Sequence, residues 1–503
     1  MKRHALISVY NKEGLSNLAQ TFTSLGIEII ATGGTARYLK ELNIPYIPIE
    51  SITGSPESFD GRVKTISFTI EGGILFDRSN KEHVIQAEKL KVPVIDFVVC
   101  NFYPFWEKPG IEMIDVGGPT MVRSAAKNFE YVTVLVDPGD YSKVAKDVSA
   151  ETRKALAAKA FAYVTDYDVL IAKYFQNETG QKERNFISMD QGVTLRYGEN
   201  PHQKGYFYQD PQEKNDPLGL GNFTVLQGKA MSFNNLLDAT SGLETISLIG
   251  KEEPACVILK HTNPCGAAVG SDLPDAFKKA WFDGDPLAAF GGVILVNRTV
   301  TGELAEAMLS DKKFFEVLIA PDFDEKALSV FAAKPKLQLW KNEALKKPHV
   351  VAYEEVKKIR GGYLVQDGDI YEVKAQEFKV VTKKKPTKEQ IEDLLFAWKI
   401  AQVSKSNAVA VVKNKVLLAS GVGQQDRKRC AELCVSKAGK SLEGGVAATD
   451  GFFPFRDGPD VLIKAGITAI AQPGGSIRDQ EVIDACDEQG VAMVFTGVRN
   501  FKH

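Results

Sequence analysis

At 503 residues the chain is long enough for about three domains, and its composition is that of an ordinary folded protein. Its 62 Lys and Arg against 64 Asp and Glu leave a formal charge of −2, which excludes the broad basic field of a nucleic-acid-binding protein. No window approaches the roughly 18 apolar residues of a membrane span, and "MKRHALISVYNKEG" has too short an apolar run for a signal peptide.

A soluble cytoplasmic protein with no nucleic-acid or membrane partner is therefore expected. Six cysteines without a paired framework suit a reducing compartment.

In chain order, "ALISVY" predicts a strand, and Leu15, Leu18, Ala19, Phe22 and Leu25 recur at helical spacing before Gly26. "IEIIA", the loop "TGGT" and the helix "ARYLKEL" complete a βαβ unit, which implies a right-handed crossover and a parallel sheet. "VIDFVVCNFYPF" and "YVTVLVD" predict further strands, and "RKALAAKAFAYVTDYDVLIAKYF" a closing helix. Residues 1–190 read as one open α/β domain, bounded by the polar stretch "QNETGQKERNF".

Beyond it "ACVILKHTNPCG", "FGGVILVN" and "FFEVLIAP" predict strand-turn-helix units. The basic seam "VTKKKPTKEQ" divides 191–380 from 381–503, with Lys383 to Lys385 as a solvated linker. Thr387 and Gln390 stand in capping-box spacing before a helix that carries Ile391, Leu394, Leu395 and Trp398 on one face. "LAAFGGVILVN" echoes "LEGGVAATDGFFPF", and "ILKHTNPCG" echoes "IAQPGGSIRD", hinting at two related α/β subdomains.

Several stretches carry chemistry. "LKHTNPCG" ends a buried apolar run and sets Lys260 beside His261; this is either a solvated rim or a functional pair at a strand tip. "ATGGTARYL" can hold a phosphate on backbone N–H groups at a helix N-terminus, or be a plain tight turn. Arg62, Lys64, Arg123 and Lys127 add cations for an anionic small molecule, with surface ion pairing as the alternative. Arg196 and Tyr197 in "LRYGENPHQ" could clamp a phosphate and stack a heterocycle, whereas Arg499 lies in a tail where fraying is the default. Cys265 in "NPCG" looks like part of a deaminase zinc motif, but position 268 is Ala and no HxE exists; Cys430 and Cys434 lack partnering histidines. No zinc site is expected.

Taken together and in order, "ATGGTARYL", "DGRVKTI", "IDVGGPTMVRSAAKN", "LRYGENPHQ", "SFNNLLDA", "LKHTNPCG", "AFGGVILVNR", "GVGQQDR", "TDGFFPFRDG", "AQPGGSIRD" and "MVFTGVRNF" run nearly the length of the chain. In them the sequence resembles the bifunctional purine-biosynthesis family that combines phosphoribosylaminoimidazolecarboxamide formyltransferase and inosine monophosphate cyclohydrolase activities. The resemblance implies an N-terminal methylglyoxal-synthase-like open parallel sheet and a transformylase region of two cytidine-deaminase-like subdomains without zinc. It also implies a homodimer with transformylase sites at the subunit interface, and 10-formyltetrahydrofolate as cosubstrate with no catalytic metal.

Carried over motif by motif, His261 matches the family's proton acceptor and Lys260 its transition-state stabiliser. Arg196, Tyr197, Gly291, Glu316, Asn407, Arg427 and Arg499 match positions that hold the aminoimidazole nucleotide; Glu316 has a longer reach than an Asp there would have. Lys428, Phe452 and Phe453 lie where folate is expected, the aromatics offering a face to its rings. For ring closure Lys127 matches the proton donor. Asn11, Lys12, Thr32, Gly33, Gly34, Thr35, Arg62, Lys64, Thr65, Cys100, Asn101, Tyr103, Asp115 and Val116 match the nucleotide-binding positions. One departure follows Thr65: the family commonly has a His-Pro pair and a further His before "GGIL", and this chain has Ser67, Phe68 and Glu71. Two other readings are a transformylase whose first domain only binds nucleotide, and a non-catalytic nucleotide sensor.

Overall fold

The computed structural model describes residues 2–56, 59, 65–181, 185–187, 189–210, 216–229 and 232–503. The chain divides into two compact units, Met1–Ser188 and Met189–His503.

In the first unit the strands are β1 (Arg3–Val9), β2 (Glu28–Ala31), β3 (Ile47–Pro48), β4 (Val94–Asn101) and β5 (Thr133–Leu135). They lie in the order β3-β2-β1-β4-β5, each neighbouring pair parallel. The helices are α1 (Leu15–Ser24), α2 (Gly33–Glu41), α3 (Ile49–Thr53), α4 (Phe68–Leu75), α5 (Lys81–Lys89), α6 (Gly117–Lys127) and α7 (Ala150–Thr179). Along β1, Ala5, Ile7 and Val9 join one apolar cluster with Leu15, Phe22 and Leu39, while Leu6 joins the other with Ile70, Val122 and Val164. A strand buried on both faces needs such a continuous apolar run. Because β1 to β3 build outward one way and β4 to β5 the other, the order reverses between β1 and β4. An open sheet leaves a crevice there, at the strands' C-terminal ends.

The second unit begins with an antiparallel ribbon of β6 (Asp190–Thr194) and β7 (Tyr206–Gln209), then β8 (Thr224–Gln227) and α8 (Phe233–Ile249). Next come β9 (Ala255–Lys260), β10 (Asn263–Val269), α9 (Leu273–Phe282), α10 (Pro286–Ala289), β11 (Gly292–Val296), α11 (Gly302–Leu309), β12 (Phe315–Ala320), α12 (Glu325–Phe331) and β13 (Gln338–Lys341). A second ribbon, β14 (Glu354–Ile359) with β15 (Gly362–Asp367), precedes β16 (Lys379–Val380) and α13 (Lys388–Val403). The chain ends with β17 (Ala408–Lys413), β18 (Val416–Val422), α14 (Arg427–Ala438), β19 (Val446–Thr449), α15 (Asp457–Lys464), β20 (Ala469–Gln472), α16 (Asp479–Glu488) and β21 (Ala492–Phe495).

Twelve of these strands form one sheet, β16-β21-β20-β19-β17-β18-β10-β9-β11-β12-β13-β8. Its halves repeat one pattern. A hairpin, β9–β10 or β17–β18, is followed by a strand antiparallel to the hairpin's first strand, β11 or β19. Two parallel strands then extend the sheet outward, β12 and β13 or β20 and β21. α8 and α13 pack on one face, where Leu236, Leu394 and Trp398 join a common core; α13 starts with the Thr387–Gln390 capping box. The other face carries α9, α11, α12, α14, α15 and α16. The halves meet where β10 runs antiparallel to β18, with Ala268 opposite Val416.

Two expectations are corrected. "ACVILKHTNPCG" is not strand-turn-helix but a hairpin, because its turn consists of His261 and Thr262 alone, both in the left-handed region (φ 53° and 64°). Two residues at positive φ make the turn whose twist suits a hairpin. Pro264 sits at a register shift, which spares the ladder. Gly266 is not a breaker: a Cβ there would run into the carbonyl oxygen of Ala280 on α9. The echo of "ILKHTNPCG" with "IAQPGGSIRD" is also overturned, since the hairpin's counterpart is β17–β18. That hairpin turns on Asn414 and Lys415 (φ 54° and 55°), and its Gly421 faces Cys430 of α14 as Gly266 faces Ala280.

Overpacking against rigid backbone destabilises by about 1–3 kcal/mol. Gly266→Ala and Gly421→Ala should each lose that much in urea unfolding. Gly362→Ala, where a Cβ meets nothing within 4 Å, should stay within about 0.5 kcal/mol of wild type.

Candidate functional sites

In the first unit the crevice between β1 and β4 collects most of the expected nucleotide positions. Asn101 closes it: its Oδ1 accepts the N–H groups of Tyr10 (2.6 Å) and Asn11 (2.9 Å), and its Nδ2 donates to the carbonyl of Asn11. Tyr103 stands edge-on to Tyr10, ring centres 5.9 Å apart. Thr32 precedes α2 and donates to Ser8 Oγ at 3.0 Å, and Thr35 exchanges hydrogen bonds with the backbone of Val9. Gly33 and Gly34 thus open a helix whose free N–H groups face the strand tips, an arrangement suited to an anion. Lys12 folds over the same tips, donating to the carbonyls of Val9 and Tyr10; burial and then Arg37 pull its pKa below that of a free lysine.

Asp115 accepts the N–H of Gly118 at the start of α6 (2.8 Å), and its own N–H is held by the hydroxyl of Tyr167. Val116 is exposed beside it, and buried Thr65 lies against Gly117. Arg62 and Lys64 lie outside the described residues. The Cys100 side chain belongs to the core at 1% exposure, so only its backbone can serve a ligand.

Lys127 is not gathered with this group. It ends α6, ten residues beyond Gly117 and so about 15 Å along the axis. There it lines a shallow depression with Arg123, Ser124, Lys154 and Phe161. Of the three departures after Thr65, Ser67 caps α4 by accepting from Ile70 N–H, Phe68 is exposed, and Glu71 turns inward. Glu71 Oε2 accepts from the Ser124 hydroxyl at 2.5 Å, while Oε1 is buried without a partner. Burial outweighs that bond and raises the carboxyl's pKa.

In the second unit the hairpin tip of β9–β10 lies next to the start of β17. Asn263 makes the join, its Oδ1 accepting Lys405 N–H at 2.9 Å and its Nδ2 donating to the His261 carbonyl. His261 is exposed, and the neighbouring Lys260 Nζ donates to the Gly291 carbonyl at 3.1 Å. Exposed Glu316 is on the adjoining β12. Arg427, 8% exposed at the start of α14, reaches Asn407 Oδ1 (2.7 Å), Asp450 Oδ1 (2.9 Å) and the Phe452 carbonyl (2.8 Å). Its Nε is buried with no protein acceptor.

Asp450, Phe501 and Lys405 escape sequence reasoning. Asp450 is wholly buried and also accepts from the Ser406 hydroxyl and Ala408 N–H, so it ties Arg427 to the segment that carries Asn407. The Phe501 ring takes Arg499 at 4.4 Å and Arg427 at 5.9 Å. Burial, then Lys502 and Lys357, lower the pKa of Lys405. The only signal for Asp450 is an acidic residue directly after the strand "VAAT".

The tail is not frayed, contrary to expectation: Asn500 N–H donates to the Asp450 carbonyl (3.0 Å) and Ser406 N–H to that of Lys502 (2.8 Å). The aromatic expectation is half corrected. Phe452 is partly exposed, but the Phe453 ring is packed in the core at 1% exposure, because it alone of the pair points into the sheet–helix layer. Lys428 is exposed and pairs loosely with Glu432 at 3.8 Å. Arg196 lies over the ring of Tyr197 at 4.8 Å, in a loop tied to α8 by Asn234 donating to the Glu199 carbonyl.

Among the described residues no group of three or more His, Cys, Asp or Glu is placed to hold a metal. All six cysteines are buried and free, and burial pushes the thiols of Cys265, Cys430 and Cys434 up to about 12. No helix is long and apolar enough to cross a membrane.

The model of the AICARFT/IMPCHase bienzyme family matches residues 125–437, and that of the MGS-like domain residues 14–120. A bifunctional purine biosynthesis protein PurH of Caldicellulosiruptor saccharolyticus is 45% identical over 521 residues, covering 100% of both chains. Its namesake in Aquifex aeolicus is 45% identical over 519 residues, 99% of this chain and 100% of its own. A crystal structure of ForH aligns with 35% of this chain and 100% of its own, at 35% identity and a TM-score of 0.33.

Asp450→Ala should cost about 3–5 kcal/mol in denaturant unfolding, since it leaves the Arg427 charge buried and unpaired. For Glu71 the folded state holds the proton more tightly than the unfolded chain. Its contribution is therefore largest in acid and is lost as pH rises above about 4.3 toward the raised folded value. Glu71→Gln should gain stability relative to wild type over that rise and then hold a constant lead, read from melting temperatures across pH.

Proposed function

The chain belongs to the AICARFT/IMPCHase bienzyme family, and from that premise we infer how its two units divide the chemistry. The protein is a bifunctional enzyme of the last two steps of de novo IMP synthesis. It transfers a formyl group from 10-formyltetrahydrofolate to 5-aminoimidazole-4-carboxamide ribonucleotide, then closes the product to IMP with loss of water. Its substrates are a small nucleotide and a folate.

Formyl transfer belongs to the second unit. The observation that carries this reading is the seating of the hairpin turn that carries Lys260 and His261, through Asn263, against Lys405 of the other half, two residues before the Asn407 that receives Arg427. The acceptor amine is a weak nucleophile, because its lone pair is delocalised into the ring and carboxamide. His261, exposed on its turn, takes a proton from that amine as it adds to the formyl carbon. The ammonium of Lys260, oriented by the Gly291 carbonyl, stabilises the oxyanion that develops on the formyl oxygen; its collapse breaks the bond from the formyl carbon to N10, and tetrahydrofolate leaves with the proton that His261 took up. Arg427 and Arg499 hold the nucleotide, and the unpartnered Nε of Arg427 supports an anionic or carbonyl acceptor there. Phe452 offers the aromatic face for folate, with Lys428 beside it. The chemistry needs no metal.

Ring closure belongs to the first unit. The N-terminus of α2 with Thr32, Thr35 and Lys12 receives the phosphate, while Asn101, Tyr103 and Asp115 orient the base. The carboxamide nitrogen adds to the formyl carbon, and protonation of the departing oxygen lets water leave. Lys127 is assigned as proton donor by its family match alone.

His261→Ala should lose formyl transfer by at least about 100-fold and leave ring closure of supplied formylated nucleotide intact. Lys127→Ala should do the reverse; closure at the wild-type rate would place the donor elsewhere. We also assign a homodimer with transformylase sites at its interface, in the cytoplasm where both substrates are dissolved. In support, the β14–β15 ribbon exposes Val356, Tyr363 and Leu364, and a lone ribbon is only marginally stable in water. Sedimentation should give twice the 55.2 kDa of one chain, and a monomer at micromolar protein would contradict this.

A further inference from the structure

The internal repeat supplies a comparison. In each half a helix running behind the sheet sends one buried aspartate to the turn of the hairpin. In the second half Asp393 of α13 takes both turn N–H groups, Asn414 on one oxygen (2.8 Å) and Lys415 on the other (2.7 Å). In the first half Asp238 of α8, 7% exposed, accepts Thr262 N–H at 2.5 Å through Oδ1. Both aspartates thus steady a backbone that non-glycine residues adopt reluctantly, above all β-branched Thr262 at φ 64°. Asp238 also stands among charged groups: Lys260 and His261 of the hairpin and Glu316 of β12. Burial raises its carboxyl's pKa and these two cations oppose the rise.

We propose that Asp238 is a positioning residue for formyl transfer, pinning the two-residue turn that carries His261. The proposal rests on the transformylase reading. Its role differs from that of Asp393, whose two oxygens are both committed to backbone. Loss of the pinned turn lets the base drift, and a displacement of about 1 Å at a reacting group costs about 100-fold in rate.

The test compares Asp238→Ala, Asp238→Asn and Asp393→Asn in the full-length protein, measuring kcat and KM for formyl transfer across pH, with unfolding midpoints and ring closure alongside. Asp238→Ala should lower kcat by about 100-fold with KM for the nucleotide within about threefold. Asp238→Asn, which keeps an acceptor oxygen for the Thr262 N–H, should recover most of that kcat. Asp393→Asn should lower the unfolding midpoint and leave kcat near that of wild type. An Asp238→Ala kcat within about threefold of wild type, or an Asp238→Asn kcat no higher than that of Asp238→Ala, overturns the proposal. A wild type that closes the ring but transfers no formyl group overturns the transformylase reading and this proposal together.

Discussion

The second unit depends on a narrow seam. β10 and β18 run antiparallel with Ala268 opposite Val416, and few bonds reinforce the contact: Val269 N–H to the Lys415 carbonyl (3.2 Å), and the Ser420 hydroxyl to the Pro264 carbonyl (2.9 Å). Because the strands are antiparallel, the two hairpin turns point to opposite ends of the sheet. The His261 turn therefore meets not its own counterpart but the open end of the other hairpin, where β17 begins and β18 finishes. That offset is what puts the turn that carries the imidazole from one half against Lys405 of the other, whose segment in turn holds the chain's last residues.

A repeat joined in this way has room to differentiate. Both halves keep the parts that hold the sheet: the left-handed two-residue turn, the glycine against the helix, and the helix aspartate under the turn. They differ in what the turn presents. Lys260 and His261 stand with Asp238 and Glu316, whereas Lys415 of the other turn is paired to Glu253 at 3.0 Å and Glu392 at 3.6 Å. Asp450 is the counterweight on the far side, a buried anion that lets Arg427 be desolvated without being left alone.

The layout of the first unit is legible from periodicity, because a parallel sheet buried on both faces writes long apolar runs and its crossovers write helical stripes. The α13 cap is legible for the same local reason, Thr387 and Gln390 being three apart. What escapes is whatever depends on distant partners or on rare backbone. Nothing in "KHTN" announces two residues at positive φ, so Pro264 and Gly266 look like the turn when they are the next strand. "VVKNKVLL" repeats the spacing of the first hairpin but not its residues, which hides the repeat. Phe452 and Phe453 are indistinguishable in sequence, yet one ring is open and the other lies in the core. Asp238 and Asp450 take their meaning only from groups that lie far away in sequence.

We infer that one transformylase site is assembled across the seam, and amide hydrogen exchange on addition of the aminoimidazole nucleotide tests this. Exchange should slow at Thr262 and Asn263, at Ser406 and Asn407, and at Arg499 to Phe501, all at the same nucleotide concentration. Protection confined to one half of the sheet, with the other half and the tail unchanged, would contradict it.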